Sequence, residues 1–240
     1  MKPYQRIILP LDDLDPDQAV KVATDLRGRV GLMKIGLELW NMRHGGHEIV
    51  ERVQAAGQCD IMLDLKLNDI PQTMRGAVRS VRDLAPKFLT VHANSGSAHL
   101  AACVDEAGPG IGILGVTVLT SIDQGTWVES GGSGPIVEAV HLRAVSSANA
   151  NANGIVCSPR ELGEIVRSER HNFTRLKKVV PGVRPSWAPS DDQKRVMTPR
   201  QALAAGADYL VIGRPILKPT AGYSPHQVID LICEELSLAI

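Results

Sequence analysis

The sequence is poor in aromatic residues and has no excess charge of either sign. It contains three Trp, three Tyr and two Phe in 240 residues, and its 26 basic side chains balance 26 acidic ones. So few aromatic rings leave little surface on which nucleic-acid bases could stack. A formal net charge of zero gives no support for a nucleic-acid or membrane-surface partner. We therefore expect neither nucleic acid nor a membrane among the partners of this protein.

Long apolar runs and paired cysteines are also missing. No run reaches the roughly 18 apolar residues of a membrane span, and residues 1–5 lack the apolar region of a signal peptide. The four cysteines, Cys59, Cys103, Cys157 and Cys233, are far apart and form no CxxC pair. Neither a disulfide framework nor a zinc site is indicated. These features predict a cytoplasmic protein with reduced, mostly buried thiols.

Short apolar segments alternate regularly with segments of helical periodicity. Eight such units in a chain of this length predict a parallel sheet with right-handed crossovers, and their number is that of an α/β fold of the (β/α)8 TIM-barrel type. A doubly wound open sheet is the alternative. No linker divides the chain, so we expect a single domain over residues 1–240. The predicted strands are 6–11, 32–36, one starting at 61, 87–93, 111–119, 154–157, 178–182 and 209–214. We expect exposed or polar loops over 122–134 and 183–196.

The third predicted strand carries charges inside an apolar run. Residues two apart in a strand share a face, so Asp64 and Lys66 should point one way and Leu63 and Leu65 the other. Opposite charges on a buried face are costly unless each is satisfied, and such a pair is more often a site than packing. The alternative is a structural ion pair at the end of a strand.

Other polar residues follow the predicted strands at the end where barrel active sites lie. Asp12, Lys34 and the third-strand pair would combine alternating charges at one mouth, which is typical of an electrostatic pocket. We interpret His92 as a hydrogen-bonded core residue, with a general base as the alternative, and we place Asp13 and Asp15 at the start of the first helix. The full set at the predicted strand ends is Asp12, Lys34, Asp64, Lys66, His92, Thr120, Ser121, Arg184, Gly213 and Arg214.

The ends of the seventh and eighth strands predict a phosphate site. Barrels frequently bind phosphate in the loops after these two strands. Gly213 would allow close approach of the backbone, while Arg184, Gln193 and Arg214 supply polar groups; a planar guanidinium suits phosphate oxygens. The alternative is that both arginines lie on the surface. A phosphorylated substrate is the favoured interpretation.

Taken together, these motifs resemble one family. Residues 64–71, DLKLNDIP, resemble the DxKxxDIP signature of the orotidine 5'-phosphate decarboxylase family, in its bacterial branch. Related magnesium-dependent ketogulonate-phosphate decarboxylases and hexulose-phosphate synthases share DxKxxD but lack the lysine of the second strand, so Lys34 and the run 116–121 favour the orotidine enzymes. The resemblance covers nearly the whole chain, and its other segments are 11–12, 33–36, 91–93, 181–185, 192–193, 197–199 and 212–215.

The resemblance implies a cofactor-free, metal-free decarboxylation of orotidine 5'-phosphate to uridine 5'-phosphate in pyrimidine biosynthesis. Lys66 matches the donor of a proton to C6 of the ring, and Asp64 the carboxylate beside the scissile group. Lys34 and Asp12 match residues that hold the ribose and complete a charged network. With no cofactor to accept the electron pair left on the ring, the ammonium of Lys66 would both stabilise and protonate it. Asp64 and Asp69 on either side would keep that ammonium charged.

The resemblance also implies a homodimer with shared active sites. Asp69 matches an acid that reaches into the neighbouring subunit's site, as does Thr73, and the catalytic set is then Lys34, Asp64, Lys66 and Asp69. The remaining implied substrate contacts are Ile70, Thr120, Arg184, Gln193, Gly213 and Arg214. Asn68 and Pro10 depart from the commoner residues of the family, and neither is a catalytic position. Two alternatives stay open: a magnesium-dependent sugar-phosphate lyase and a nucleotide-binding protein without activity.

Overall fold

Eight parallel strands form a closed barrel in the computed structural model, which describes residues 1–167, 173–187, 197–220 and 222–239. Each strand pairs with the next along the chain, and the ring closes where β1 pairs with β8. This confirms the predicted (β/α)8 barrel and excludes the open sheet. The strands are β1 Ile7–Pro10, β2 Leu32–Gly36, β3 Asp60–Leu67, β4 Phe88–His92, β5 Gly112–Val116, β6 Gly154–Val156, β7 Lys177–Val180 and β8 Tyr209–Val211.

Helices surround the barrel and connect successive strands. Three of them start at the capping boxes of Asp15, Thr198 and Ser224, each followed by a proline in the first helical position. Within the described residues the α-helices are α1 Pro16–Asp25, α2 Leu37–Asn41, α3 Gly46–Gly57, α4 Pro71–Ser80, α5 Ser97–Ala107, α6 Gln124–Glu129, α7 Ile136–Asn149, α8 Pro159–Arg167, α9 Pro199–Ala204, α10 Arg214–Leu217 and α11 Pro225–Ser237. None of them is both long and apolar enough to span a membrane.

The predicted loop over 122–134 was wrong in part, because it contains α6. The Asp123 side chain accepts a hydrogen bond of 2.9 Å from the amide of Thr126 and so caps this helix. Trp127 packs against the core and holds the helix against the barrel, while Gly132 approaches its ring so closely that a Cβ there would collide with it. Glycine at position 132 is therefore required for packing against Trp127, and not only for a turn. Most of the predicted loop over 183–196 lies outside the described residues.

The buried apolar side chains form two clusters, one inside the ring of strands and one outside it. Within the ring, one cluster of buried side chains includes Ile8, Leu32, Met62 and Leu114. Because side chains two apart share a face of a strand, Lys34 lies on the inner face with Leu32, and Asp64 with Met62. A larger cluster fills the space between the strands and the surrounding helices. The charged side chains of Lys34 on β2 and Asp64 on β3 therefore lie inside the barrel, near the carboxyl ends of their strands.

The four cysteines are free thiols. Cys103 and Cys157 are buried, and the other two are half-buried. Burial raises the pKa of Cys103 to about 11 and that of Cys157 to about 12. At neutral pH these thiols are protonated and behave as small apolar side chains.

Candidate active site

Four charged side chains from three neighbouring strands form one connected network. The carboxylate of Asp64 on β3 accepts a hydrogen bond of 2.8 Å from Lys66 Nζ, and its same oxygen lies 3.2 Å from Lys34 Nζ on β2. Lys34 Nζ also donates to both oxygens of Asp12, at 2.8 and 3.0 Å, just beyond β1. Positive and negative groups thus alternate along the network, as the sequence predicted. The charges that the sequence distributes over three strands meet in one place.

Burial and charge act in opposite directions on the two central members. Burial disfavours the charged form of Lys34, but the carboxylates of Asp64 and Asp12 outweigh it and raise its pKa. Burial likewise disfavours the charged form of Asp64, but Lys34, Lys66 and a hydrogen bond from Thr90 together lower its pKa. Both groups are therefore ionised at neutral pH. Lys66 is more accessible than either, with 29% of its side chain exposed against 9% for Lys34 and 12% for Asp64.

A bulge in β3 brings Lys66 to this position. Leu63 pairs with Leu89 of β4, but the next pairing is between Leu67 and Val91, so three residues of β3 oppose one residue of β4. Lys66 has a φ of 48°, in the left-handed region that side chains other than glycine rarely adopt. Regular strand geometry therefore ends before Lys66, but the predicted facing holds: its ammonium contacts Asp64, while Leu63 and Leu65 pack on the other side of the strand. Strained backbone of this kind is often retained at functional sites.

Gly36, at the end of β2, leaves room for the network. A Cβ at this position would lie 2.6 Å from Asp12 Oδ1 and 3.1 Å from Lys34 Nζ. Any larger residue would have to displace the carboxylate or the ammonium. The glycine is thus needed for space, since the ion pair occupies the volume that a side chain would fill.

A cavity of about 570 Å³ opens above the network. Its size is in the range of small-molecule sites. Its floor and walls include apolar residues such as Met62, Val116 and Val156. The cavity is lined by eight of the residues that the sequence predicted as catalytic or substrate-binding: Asp12, Lys34, Asp64, Lys66, Thr120, Arg184, Gly213 and Arg214.

Two arginines, which follow the last two strands of the barrel, also line the cavity. Arg184 follows β7 and is buried, and its amide donates to the carbonyl of Met197 at 2.9 Å. Arg214 is the first residue of α10, directly after β8. A Cβ on Gly213 would lie 2.7 Å from Pro10 Cγ, so this glycine makes room for the proline of β1. The sequence suggested that glycine at 213 allows the backbone to approach a phosphate. The contact with Pro10 gives a second reason for glycine at this position, which is structural.

Several predicted residues do not line the cavity of their own chain. Asp69 and Thr73 are exposed near the start of α4, and Ile70 is 64% exposed, although its side chain is apolar. Asp69 Oδ1 accepts a hydrogen bond from the amide of Ile70 and forms no ion pair with Lys66 within the described chain. Ser121 is exposed and also lies outside the cavity lining. Gln193 lies outside the described residues.

Two predictions near the mouth need correction. His92 is half-buried at the end of β4 and makes no hydrogen bond among the described residues, so it is not the satisfied core histidine that was expected. Burial and the nearby positive charges of Lys66 and Arg143 lower its pKa, which keeps the imidazole neutral. Asp15 caps α1 as predicted, but Asp13 lies before the helix with a φ of 63° and lines the cavity.

Sequence reasoning missed Thr90, in the middle of β4. Its hydroxyl donates to Asp64 Oδ1 at 3.0 Å and accepts from the backbone amide of Lys66 at 2.9 Å. The only signal was a lone polar residue in the apolar segment 88–91, next in sequence order to the charged strand. Neither the bulge nor the facing residue can be read from such a pattern.

Comparisons with known proteins agree with this arrangement. Residues 5–221 match the family model described as orotidine 5'-phosphate decarboxylase / HUMPS family. The chain is 47% identical to orotidine 5'-phosphate decarboxylase of Thermobifida fusca over 88% of each protein. It is 40% identical to the same enzyme of Rhodospirillum rubrum over 96% of this chain and 93% of that protein.

A solved structure also shares the fold over nearly its full length. The crystal structure of orotidine 5'-phosphate decarboxylase from Lactobacillus acidophilus superposes with a TM-score of 0.79 at 28% identity, covering 96% of this chain and 98% of that one. The family match and the curated relatives each span most of the chain. This chain belongs to the orotidine 5'-phosphate decarboxylase / HUMPS family.

Proposed function

We propose that this protein decarboxylates orotidine 5'-phosphate to uridine 5'-phosphate, without a cofactor, in pyrimidine biosynthesis in the cytoplasm. One observation carries the proposal: the Asp12–Lys34–Asp64–Lys66 network and the two arginines line the same cavity. The names of the curated relatives support the same reaction. An ammonium group and two guanidinium groups in one cavity suit a substrate that carries a reacting carboxylate and a phosphate.

Lys66 is the proton donor in this proposal. Breaking the bond between C6 and the carboxylate releases carbon dioxide and leaves the electron pair on C6. A proton from Lys66 Nζ then forms the new C6–H bond, and the neutral amine regains a proton from solvent. Its 2.8 Å contact with Asp64 supports this role, because the carboxylate holds the ammonium of the lysine in place beside the cavity. The exposed share of the Lys66 side chain gives it access to the cavity.

Asp64 and Lys34 hold the reacting end in this scheme. Asp64 lies beside the scissile carboxylate, where it either positions Lys66 or also repels the substrate's negative charge as long as carbon dioxide has not left. Lys34 and Asp12 bind the ribose and complete the charge balance. Thr120 contacts the pyrimidine, and Gln193 and Gly213 join the arginines at the phosphate. Binding energy from this remote group can be used to orient the reacting atoms.

The site is completed by a second copy of the chain in our proposal. Asp69, Ile70 and Thr73 of one subunit would enter the cavity of its partner and place a second acid near Lys66. Three features of the described residues support this arrangement: Asp69 is exposed and makes no ion pair with Lys66, the apolar side chain of Ile70 projects into solvent, and the carboxylate of Asp64 is the one that contacts Lys66. A homodimer would bury the side chain of Ile70 and bring Asp69 of one subunit close to Lys66 of the other.

A magnesium-dependent sugar-phosphate lyase of the same family is the competing function. The ammonium of Lys34 lies 2.8 Å from a carboxylate oxygen of Asp12 and 3.2 Å from one of Asp64, in the space where a metal ion would need those oxygens. This favours the decarboxylase. We expect purified protein to consume orotidine 5'-phosphate, measured by its ultraviolet absorbance, at the same rate with and without excess EDTA. Loss of the activity in EDTA, or no turnover at all, would contradict the proposal.

Arg214→Ala tests the phosphate end. Loss of charged hydrogen bonds to phosphate should raise KM by roughly 10- to 100-fold, with a further decrease in kcat because remote binding energy orients the ring. The matched control is Arg27→Ala, an exposed arginine beyond the end of α1 whose side chain donates to the carbonyl of Ala56 and does not line the cavity. It should leave KM unchanged. An Arg214→Ala enzyme with wild-type KM would remove this residue from the phosphate site.

A further inference from the structure

The bulge of β3 interrupts the regular pairing between β3 and β4 at the position of the charged network. Between Leu63 and Leu67 the chain contains Asp64, Leu65 and Lys66, whereas β4 offers only Thr90 between Leu89 and Val91. Extra residues in a bulge lose their regular partners in the ladder of backbone hydrogen bonds. The amide of Lys66 therefore needs an acceptor that the β4 backbone does not provide.

The side chain of Thr90 provides that acceptor. It is fully buried, and its hydroxyl accepts from the Lys66 amide at 2.9 Å while donating to Asp64 Oδ1 at 3.0 Å. A hydroxyl has a single hydrogen to donate and can accept as well, so one group meets both needs. The same atom thus holds the backbone of the lysine and the side chain of its carboxylate partner.

Both hydrogen bonds affect the reacting ammonium. The first restrains Lys66 at its unusual φ of 48°, a conformation that surrounding contacts must maintain. The second occupies Asp64 Oδ1, so that Asp64 Oδ2 faces both lysines, 2.8 Å from Lys66 Nζ and 3.2 Å from Lys34 Nζ. Without the hydroxyl, the carboxylate could rotate and the lysine backbone could relax toward ordinary strand geometry.

We infer that Thr90 is a positioning residue that fixes the Lys66–Asp64 pair for proton transfer. The inference rests on the proposed function, since it assigns Thr90 a role in that reaction through Lys66. It requires that the hydroxyl, and not the volume of the side chain, be what matters. Thr90 does not line the cavity, so it acts through the two residues that do.

Thr90→Val and Thr90→Ser separate the hydroxyl from the shape of the side chain. Valine keeps the branched shape and removes both hydrogen bonds, so kcat should decrease by about 10- to 100-fold, the effect of a small misplacement of a reacting group. KM should change by less than about threefold, because the phosphate and ribose contacts are untouched. Serine keeps the hydroxyl and should restore kcat to within about threefold of wild type.

Ser147→Ala is the matched control for loss of a buried hydroxyl. Ser147 is fully buried on α7, and its hydroxyl donates to the carbonyl of Arg143 at 2.9 Å, away from the cavity lining. Its kcat should equal that of wild type. If Thr90→Val does not fold, Thr90→Cys carries the test, because a thiol is of similar size but a weak donor and acceptor. Its kcat should then be lower than that of Thr90→Ser.

Deuterium exchange at the Lys66 amide gives a readout that needs no catalysis. In the folded protein this amide should exchange faster in Thr90→Val than in wild type, by at least about tenfold, and return to wild-type protection in Thr90→Ser. Wild-type kcat in Thr90→Val, or equal losses in the valine and serine variants, would overturn the positioning role. Absence of decarboxylation by the wild-type protein would instead overturn the proposed function, while the exchange result would still show whether Thr90 holds the bulge.

Discussion

We expect Lys66→Ala to lower kcat for orotidine 5'-phosphate by at least about 10⁴-fold, since it removes the proposed proton donor and, with it, the charge proposed to stabilise the electron pair on C6. Binding of uridine 5'-phosphate persists in this variant, because the arginines and Lys34 are unchanged. The protein also remains folded, since Asp64 still lies 3.2 Å from Lys34 Nζ and accepts the hydrogen bond of Thr90. Turnover is followed by absorbance and nucleotide binding by calorimetry.

Lys87→Ala is the control for this substitution. Lys87 forms an ion pair with Asp60 at the opposite end of the same pair of strands, so its loss removes a lysine–aspartate contact without touching the cavity. Its kcat stays within about twofold of wild type, because exposed ion pairs contribute little. Near-normal turnover by Lys66→Ala would remove the lysine from the reaction, whatever the nucleotide affinity of the variant.

If the protein is the proposed homodimer, we expect a mixture of Lys66→Ala and Asp69→Ala subunits to regain activity that neither variant has alone. If Asp69 serves the partner's site, each mixed dimer contains one site with both defects and one site with none. Random exchange of equal amounts of the two variants then restores about a quarter of the wild-type sites. The measurement is the rate of decarboxylation after the two proteins are unfolded and refolded together.

A second mixture shows whether the recovery reflects shared sites. Lys66 and Asp64 lie in the same cavity, 2.8 Å apart, so a mixed dimer of Lys66→Ala and Asp64→Ala has a defect in each site. This mixture stays inactive. Recovery in both mixtures would point to a cause other than sharing of Asp69, and recovery in neither would place Asp69 outside the partner's site.

The fold and the charged network could be predicted from the sequence because both depend on local patterns. Eight apolar segments separated by helical ones suffice for a closed parallel barrel, and strand ends then converge at one mouth. Lys34 and Asp64 could be assigned to the interior, since alternation holds up to their positions. The bulge at Lys66 was not predicted, because it depends on how β3 aligns with β4, and that register is not encoded in either strand alone.

Other features escaped prediction for similar physical reasons. The hydrogen bonds of Thr90 result from the same register. Helix α6 was not predicted because the segment 122–134 around it is rich in glycine and serine, although Asp123 and Trp127 supply a cap and a packing contact. Asp69 and Ile70 could be located only at the surface of one chain, since the roles that the family resemblance implies for them require a second subunit.

The pairing of β1 with β8 has a consequence for synthesis of the protein. The ribosome has made Asp12, Lys34, Asp64 and Lys66 long before it reaches Arg214, and the barrel closes only when Ile7 and Ile8 meet Leu210 and Val211. A nascent chain that lacks β8 has two open strand edges, which are prone to unwanted pairing, and it lacks Arg214, one of the two arginines that line the cavity. Translation that stops early therefore yields the four charged residues of the network without the closed barrel that surrounds them, and we expect activity only once the last strand has been made.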